Sequence, residues 1–347
     1  MVLKILFVPV SSPKGIGEYM RSMCLAEEIK QRHPDADIRF ILNEQTEYHK
    51  TCPFPVKLTP RSPTLHTKLV NQYISEFNPQ LVLFDASGRV GQLRHCKKLG
   101  IKTIFICPRG KKLSKGLALR RLQYTDRIWL VQPQFALQKL SIWAKFKLNI
   151  LNREPPLAVG PIFAKPDKQL AAQLHKKYQV TSNKYIVVSS GSGGHYVNNR
   201  LVTDIFADAA INIAKQCDLK VIVVYGLNAS AEHRNDPAII EIPHLDPTEF
   251  NSLLQQAHAA LLAGGSSLLQ SLTYHLKVVA APITEEQQGR VSLCASLNLL
   301  AQSDMDASSM AEKMLTIIAQ DHNFSSQHVE NGLNKAIDDL DALIQAQ

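Results

Sequence analysis

Ala259-Ala260-Leu261-Leu262-Ala263-Gly264-Gly265-Ser266-Ser267-Leu268-Leu269-Gln270-Ser271-Leu272, then Val278-Val279-Ala280-Ala281-Pro282 and Glu285-Glu286-Gln287-Gln288, is the most informative stretch of the chain. An apolar run of strand length meets a Gly-Gly turn, a helix follows, and a second apolar run ends at a proline. Continuous rather than alternating apolar runs are expected of parallel strands buried on both faces. A Gly-Gly turn between strand and helix brings backbone N–H groups and the Ser266 and Ser267 hydroxyls to a helix start, an arrangement suited to a phosphate. One nucleotide is expected here, with its phosphates at Gly264, Gly265, Ser266 and Ser267 and its ribose near the helix that follows, alongside the Pro282 loop that leads to Gln287 and Gln288.

The same rhythm extends outward. Apolar runs at Leu3 to Val10, Ile38 to Leu42, Leu81 to Phe84, Thr103 to Cys107 and Arg127 to Val131 alternate with helical stretches. A proline-rich segment from Arg153 to Pro166 interrupts them, and a second series begins at Lys184. The reading is α/β throughout: two doubly wound domains, residues 1–157 and 158–347, facing a cleft, with C-terminal helices able to pack back on the first domain. Such a length favours two domains over one.

Two further loops follow predicted strands. Ser190-Gly191-Ser192-Gly193-Gly194-His195 offers small residues with free backbone amides for a diphosphate ahead of a helix expected from Asn198 to Cys217, with His195 able to reach a phosphate or the sugar. It lacks the Lys-Ser/Thr ending of an ATPase loop. Lys14-Gly15-Ile16-Gly17-Glu18-Tyr19-Met20-Arg21 follows the first strand, and Met20 stands where the dinucleotide fingerprint needs its third glycine. Gly15 and Gly17 let a ligand approach the backbone there, between Lys14 and Arg21, and Glu18 in the first helical turn is either a cleft-facing carboxylate or a complement to the helix dipole. Asp85, ending a strand, is the other candidate catalytic carboxylate, or else a helix cap.

The Gly264 to Leu272 stretch, the Pro282 loop and the glutamine pair resemble the nucleotide-sugar signature of GT-B glycosyltransferases, nearest to the MurG-type N-acetylglucosaminyltransferases and the PseG-type UDP-sugar hydrolases. Ala158-Val159-Gly160-Pro161-Ile162 resembles that group's linker, and Gly15 to Arg21 with Leu25-Ala26 resembles the first loop of the PseG type. The resemblance implies two Rossmann-like domains and a UDP-sugar donor, used as substrate without metal or other cofactor. Two positions depart from it: Glu18 stands where the family has a catalytic histidine, and Gln270 where it has a ribose-binding glutamate. The implied activity is sugar transfer to an acceptor such as a lipid-linked or cell-envelope glycan precursor, with Glu18 as the base and Gly15, Gly17, Lys14 and Arg21 receiving the acceptor. Hydrolysis of the nucleotide-sugar and non-catalytic binding are the alternatives.

The net charge of +9 is uneven, because Asp126 is the only acid between Arg89 and Arg127 among a dozen basic residues. Such a tract attracts phosphate, either as an anionic acceptor or at a peripheral membrane face where Trp129, Trp143, Phe146, Lys145 and Lys147 could rest. A solvated basic face is the alternative. No zinc-finger, helix-turn-helix or aromatic-interleaved motif accompanies the charge, so nucleic acid is not expected. Six cysteines without paired spacing, and no apolar run long enough to span a bilayer, fit a cytoplasmic chain.

Overall fold

The computed structural model describes residues 2–11, 16–108, 110–137, 139–229, 234–320, 324 and 329–345, with side chains at 110–112 excepted. The chain divides into two units, residues 1–163 with 330–347, and residues 164–329.

The first unit is built on a seven-stranded parallel sheet: β1 (Lys4–Pro9), β2 (Asp37–Asn43), β3 (Val56–Thr59), β4 (Leu81–Asp85), β5 (Lys102–Cys107), β6 (Arg127–Leu130) and β7 (Leu157–Ala158). Their order is β3-β2-β1-β4-β5-β6-β7. Its helices are α1 (Gly17–Arg32), α2 (Thr67–Phe77), α3 (Val90–Lys98), α4 (Gly110–Gly116), α5 (Leu119–Leu122) and α6 (Ile142–Ile150). The β1 and β4 side chains are buried almost throughout, which is why both strands read as unbroken apolar runs. The direction of strand addition reverses between β1 and β4, so the loops after these two strands meet at a topological switch point.

The second unit repeats the plan with α7 (Lys168–Tyr178), β8 (Tyr185–Ser189), the hairpin β9 (Tyr196–Val197) and β10 (Arg200–Leu201), and α8 (Val202–Ala214). There follow β11 (Lys220–Val224), β12 (Ile239–Ile242), α9 (Pro247–Gln255), β13 (Ala259–Ala263), α10 (Ser266–Thr273), β14 (Lys277–Ala281), α11 (Glu285–Ser296), β15 (Ala301–Gln302) and α12 (Ala307–Ala319). The parallel order is β12-β11-β8-β13-β14-β15, and the switch point lies between β8 and β13. These two strands pair in register, Leu262 opposite Ser189, so the two glycine loops that follow them start side by side.

The last helix, α13 (Leu333–Gln345), belongs to the first unit. Its Asp339 accepts the indole N–H of Trp129 at 2.7 Å, and Asp338 and Asp341 pair with Arg32 at 2.6 and 3.1 Å. Trp129 is fully buried on β6 and is therefore a core residue, not part of a membrane-facing surface. The proline-rich segment read as a linker contains β7, and residues 158–163 stay with the first unit rather than the second. Packing explains this: a Cβ on Gly332 would stand 2.3 Å from the Val159 carbonyl oxygen, and the Gly332 N–H donates to Pro161 at 2.7 Å. No helix among the described residues is long and apolar enough to cross a membrane.

Candidate functional site

In the second unit the loop after β8 is pinned to the loop after β11. Ser189 Oγ donates to the Val224 carbonyl at 3.0 Å and accepts the Gly191 N–H at 3.2 Å. The Asn228 N–H donates to the Ser192 carbonyl at 2.8 Å. Gly193 has φ +89°, and a Cβ there would lie 2.6 Å from the Tyr225 carbonyl oxygen, so no larger residue fits. Below the loop, Thr203 Oγ1 donates to the Gly193 carbonyl at 3.0 Å and lies 3.1 Å from Ser190 Oγ. The carbonyls of Ser192 and Gly193 thus turn into the protein, while the amides of Ser192, Gly193 and Gly194 have no partner among the described residues.

Two expectations change here. The loop does not run into a helix, because the β9–β10 hairpin intervenes before α8. The Gly191 amide is also not free, being held by Ser189. His195 is half-buried, and its carbonyl accepts the Val202 N–H at 2.9 Å, which folds the start of α8 back beneath the loop.

At the neighbouring strand end, Gly264 and Gly265 have different tasks. A Cβ on Gly264 would meet Gln287 Cβ and Val291 Cγ2 at 2.8 Å, so this glycine lets α11 close on the turn. Gly265 is the N-cap of α10 with extended backbone and open space around its Cα, and no side chain caps the helix. The uncapped first turn therefore carries donors available to an anion. Ser266 is exposed and Gln270, one turn on, is half-buried on the same face, whereas Ser267 is buried.

The glutamine pair separates. Gln287 faces the turn, with Oε1 accepting the Ile283 N–H at 2.9 Å, so its carbonyl oxygen holds the Pro282 loop rather than a ligand. Gln288 donates to Ser292 at 3.0 Å, which bonds Gln302 on β15. In place of Gln288 the structure brings Arg290 to the turn: its Nη1 donates to the Gly264 carbonyl at 2.6 Å, and its Nη2 lies 3.6 Å from Glu286. Sequence reading passed over Arg290. The one available signal is its i+4 spacing from Glu286 on the first exposed turns of α11.

In the first unit, Lys14 and Gly15 lie outside the described residues. Gly17 is exposed, with open space where a Cβ would stand, and Glu18 is half-buried beside it. Asp85 is fully buried, with both oxygens held by Arg21: Nε to Oδ2 at 2.8 Å and Nη2 to Oδ1 at 2.6 Å. Burial pushes the Asp85 carboxyl up to about 6, and Arg21 pulls against that rise. An inaccessible, doubly bonded carboxylate is not placed to take a proton from substrate, and Asp85 is an anchor for Arg21 rather than a helix cap. Arg21 is correspondingly committed to Asp85 rather than to an acceptor.

A different cation stands at this switch point. Arg121 donates to the Ser87 carbonyl at 2.8 Å and lies over the Phe105 ring at 4.4 Å, with no carboxylate partner among the described residues. Burial pulls its pKa down. Other members of the basic tract point elsewhere, Arg127 to Glu154 and Asp339 and Arg94 over Tyr124. Three Asp-x-Asp spacings, Asp35 to Asp37, Asp304 to Asp306 and Asp339 to Asp341, have structural tasks at their second aspartates, Asp341 being a partner of Arg32. Asp37 pairs with Arg39 at 2.8 Å, and Asp306 caps α12 through the Ser308 and Ser309 amides.

No family model matches the chain. No curated protein matches it either. Solved structures do. The calicheamicin glycosyltransferase CalG4 superposes with a TM-score of 0.62 at 14% identity, covering 98% of each chain. Arabidopsis thaliana UGT89C1, solved with quercetin, gives 0.61 at 14% identity over 93% of this chain and 91% of that one. UDP-GlcNAc 2-epimerase from Methanocaldococcus jannaschii gives 0.56 at 12% identity over 99% and 100%. With two parallel sheets of the same plan and near-complete coverage, the chain has the GT-B fold, an architecture that sugar transferases share with a sugar-nucleotide epimerase.

Proposed function

We propose that the protein is a glycosyltransferase that moves a sugar from a UDP-sugar to an acceptor. The observation that carries this reading is the pair of glycine loops at the β8/β13 switch point, where the amides of Ser192, Gly193 and Gly194, without partners among the described residues, start beside the uncapped first turn of α10. Fixed N–H dipoles of this kind stabilise the charge that builds on a departing diphosphate. Arg290, held at the Gly264 carbonyl, adds a cation, and Gln270 is the ribose partner. The resident cofactor is none: the UDP-sugar is substrate.

Glu18 is the proposed base, since Asp85 is occupied by Arg21. Its carboxylate takes the proton of the attacking acceptor hydroxyl. Arg121, a cation without a carboxylate partner among the described residues, replaces Arg21 as the residue drawing an anionic acceptor to the first unit. The MurG-type likeness of the Gly-Gly-Ser-Ser stretch supports a lipid-linked, cell-envelope acceptor at the cytoplasmic membrane face. Hydrolysis is the second reading, favoured by Glu18 itself, because a carboxylate activates water as readily as a hydroxyl.

The test is thermal denaturation against nucleoside diphosphates and nucleotide-sugars, since a ligand that binds only the folded state raises Tm by mass action. A rise with UDP that disappears in Gly265→Trp is expected. No rise with any nucleotide removes the donor site. Free sugar released without acceptor turns the reading to hydrolysis.

A further inference from the structure

Helix α6, Ile142-Trp143-Ala144-Lys145-Phe146-Lys147-Leu148-Asn149-Ile150, has two apolar faces and needs only one for the core. Ala144 and Leu148 are buried in the first unit's core at 7% and 5% exposure. Ile142, Trp143, Phe146 and Ile150 are exposed at 84%, 72%, 53% and 62%. At about 100° per residue these four fall within one arc of about 100° that points away from Ala144 and Leu148. The Trp143 and Phe146 rings meet edge to face at 5.9 Å, which makes the outward stripe continuous.

The border of the stripe is cationic. Lys145 and Lys147 flank it on either side, and there is no Asp or Glu between Arg127 and Arg153. The acids at the two ends of that segment are already used: Asp126 by Arg153 at 3.3 Å and Glu154 by Arg127 at 3.1 Å. A second copy docking symmetrically on this face would bring these lysines against their own counterparts, which like-charge repulsion disfavours. A surface with hydrocarbon inside and negative charge outside satisfies both parts, the lysine stems lying along the boundary with their ammonium groups among headgroups.

We propose that α6 docks the first unit onto an anionic lipid bilayer, its outward face entering the boundary between headgroups and acyl chains. The inference stands on the helix alone and does not require the transferase reading. One nine-residue helix gives reversible binding, strengthened about fivefold by each lysine near an anionic surface and weakened by salt.

The full chain carries its own reporter. It has two tryptophans, and Trp129 is fully buried with its N–H on Asp339, so a lipid-induced change in emission reports Trp143. Flotation with phosphatidylcholine vesicles, with and without phosphatidylglycerol, is expected to show binding only to the anionic set, with a blue shift. The double variant Ile142→Ser/Phe146→Ser alters only exposed side chains. It is expected to melt like the unmodified chain and keep any UDP-induced rise in Tm, while vesicle binding falls about tenfold or more. Equal binding to both vesicle sets, an unshifted emission, or a double variant that floats as well as the parent would overturn the proposal. A concentration-dependent dimer in sedimentation that the double variant abolishes would do so too, assigning the face to a second copy.

Discussion

Arg290→Ala tests the donor site most directly. The substitution removes a 2.6 Å guanidinium bond to the Gly264 carbonyl, which is buried against α11. Hydrogen bonds to charged groups contribute about 1.5–3 kcal/mol, and because Arg290 is half-exposed the lower end applies. A loss of about 1.5 kcal/mol lowers Tm by about 3–6 °C in a unit of this size. The effect on ligand is separable from that loss. At UDP near 100 times its Kd the unmodified chain gains about 2.7 kcal/mol, and a tenfold weaker Kd at the same concentration leaves about 1.4 kcal/mol. The UDP-induced rise in Tm, read by differential scanning fluorimetry, is therefore expected to fall to about half. Uridine, lacking phosphates, is expected to shift both proteins equally, and Gln288→Ala, altered on the β15 side of α11, to keep the full UDP response. If Arg290→Ala keeps the whole UDP-induced rise, or if the uridine and UDP responses fall together, Arg290 does not meet the diphosphate and the reasoning fails.

The two left-handed glycines of the β8 loop make a matched pair. Gly193→Ala puts a Cβ 2.6 Å from the Tyr225 carbonyl at φ +89°, and is expected to cost about 2–4 kcal/mol in urea denaturation. Gly191→Ala meets nothing within 4 Å at φ +90° and is expected to cost only about 1 kcal/mol; equal costs would mean the β8 and β11 loops do not touch. Asp306→Ala removes the α12 cap and is expected to cost about 1 kcal/mol near neutral pH. The Ser309 and Ser308 hydrogen bonds hold the Asp306 carboxyl below its ordinary 3.8, so this contribution is full above that value and is lost as pH falls through the lower folded-state pKa. A difference between variant and parent that stays constant down to pH 2 would contradict the cap. Burial pushes the Cys24 and Cys96 thiols up to about 12 and Cys294 to about 11. With thiolate at about one part in ten thousand for Cys24 at pH 8, iodoacetamide and peptide mass spectrometry are expected to find half-buried Cys52 and Cys217 modified first.

How much of this was legible in the chain follows from the range of the forces involved. Strands β1, β4, β5, β8, β13 and β14 are buried on both faces, so each had to be a continuous apolar run, and those runs stand out in the sequence. The turns needing glycine at 193 and 264 were visible for the same local reason. Two-residue strands are another matter. The strands β7, β9, β10 and β15 are shorter than any period, and only their partners define them. So a linker was read where β7 runs, and a helix start where the β9–β10 hairpin turns.

The candidate site divides along the same line. The sequence by itself determined which loops follow strands and which residue types stand in them, because strand, turn and helix start are set within a few neighbours. Tertiary structure decided which of those residues remain available. Asp85 met Arg21 across 64 positions, Gln287 turned its oxygen to the Pro282 loop, and Gly191 gave its amide to Ser189. It also carried Arg290 to a carbonyl 26 positions away and left the outer face of α6 uncovered. Each outcome depends on pairings between distant segments, and a polar group's partner, unlike its helix or strand, is not written in its neighbours.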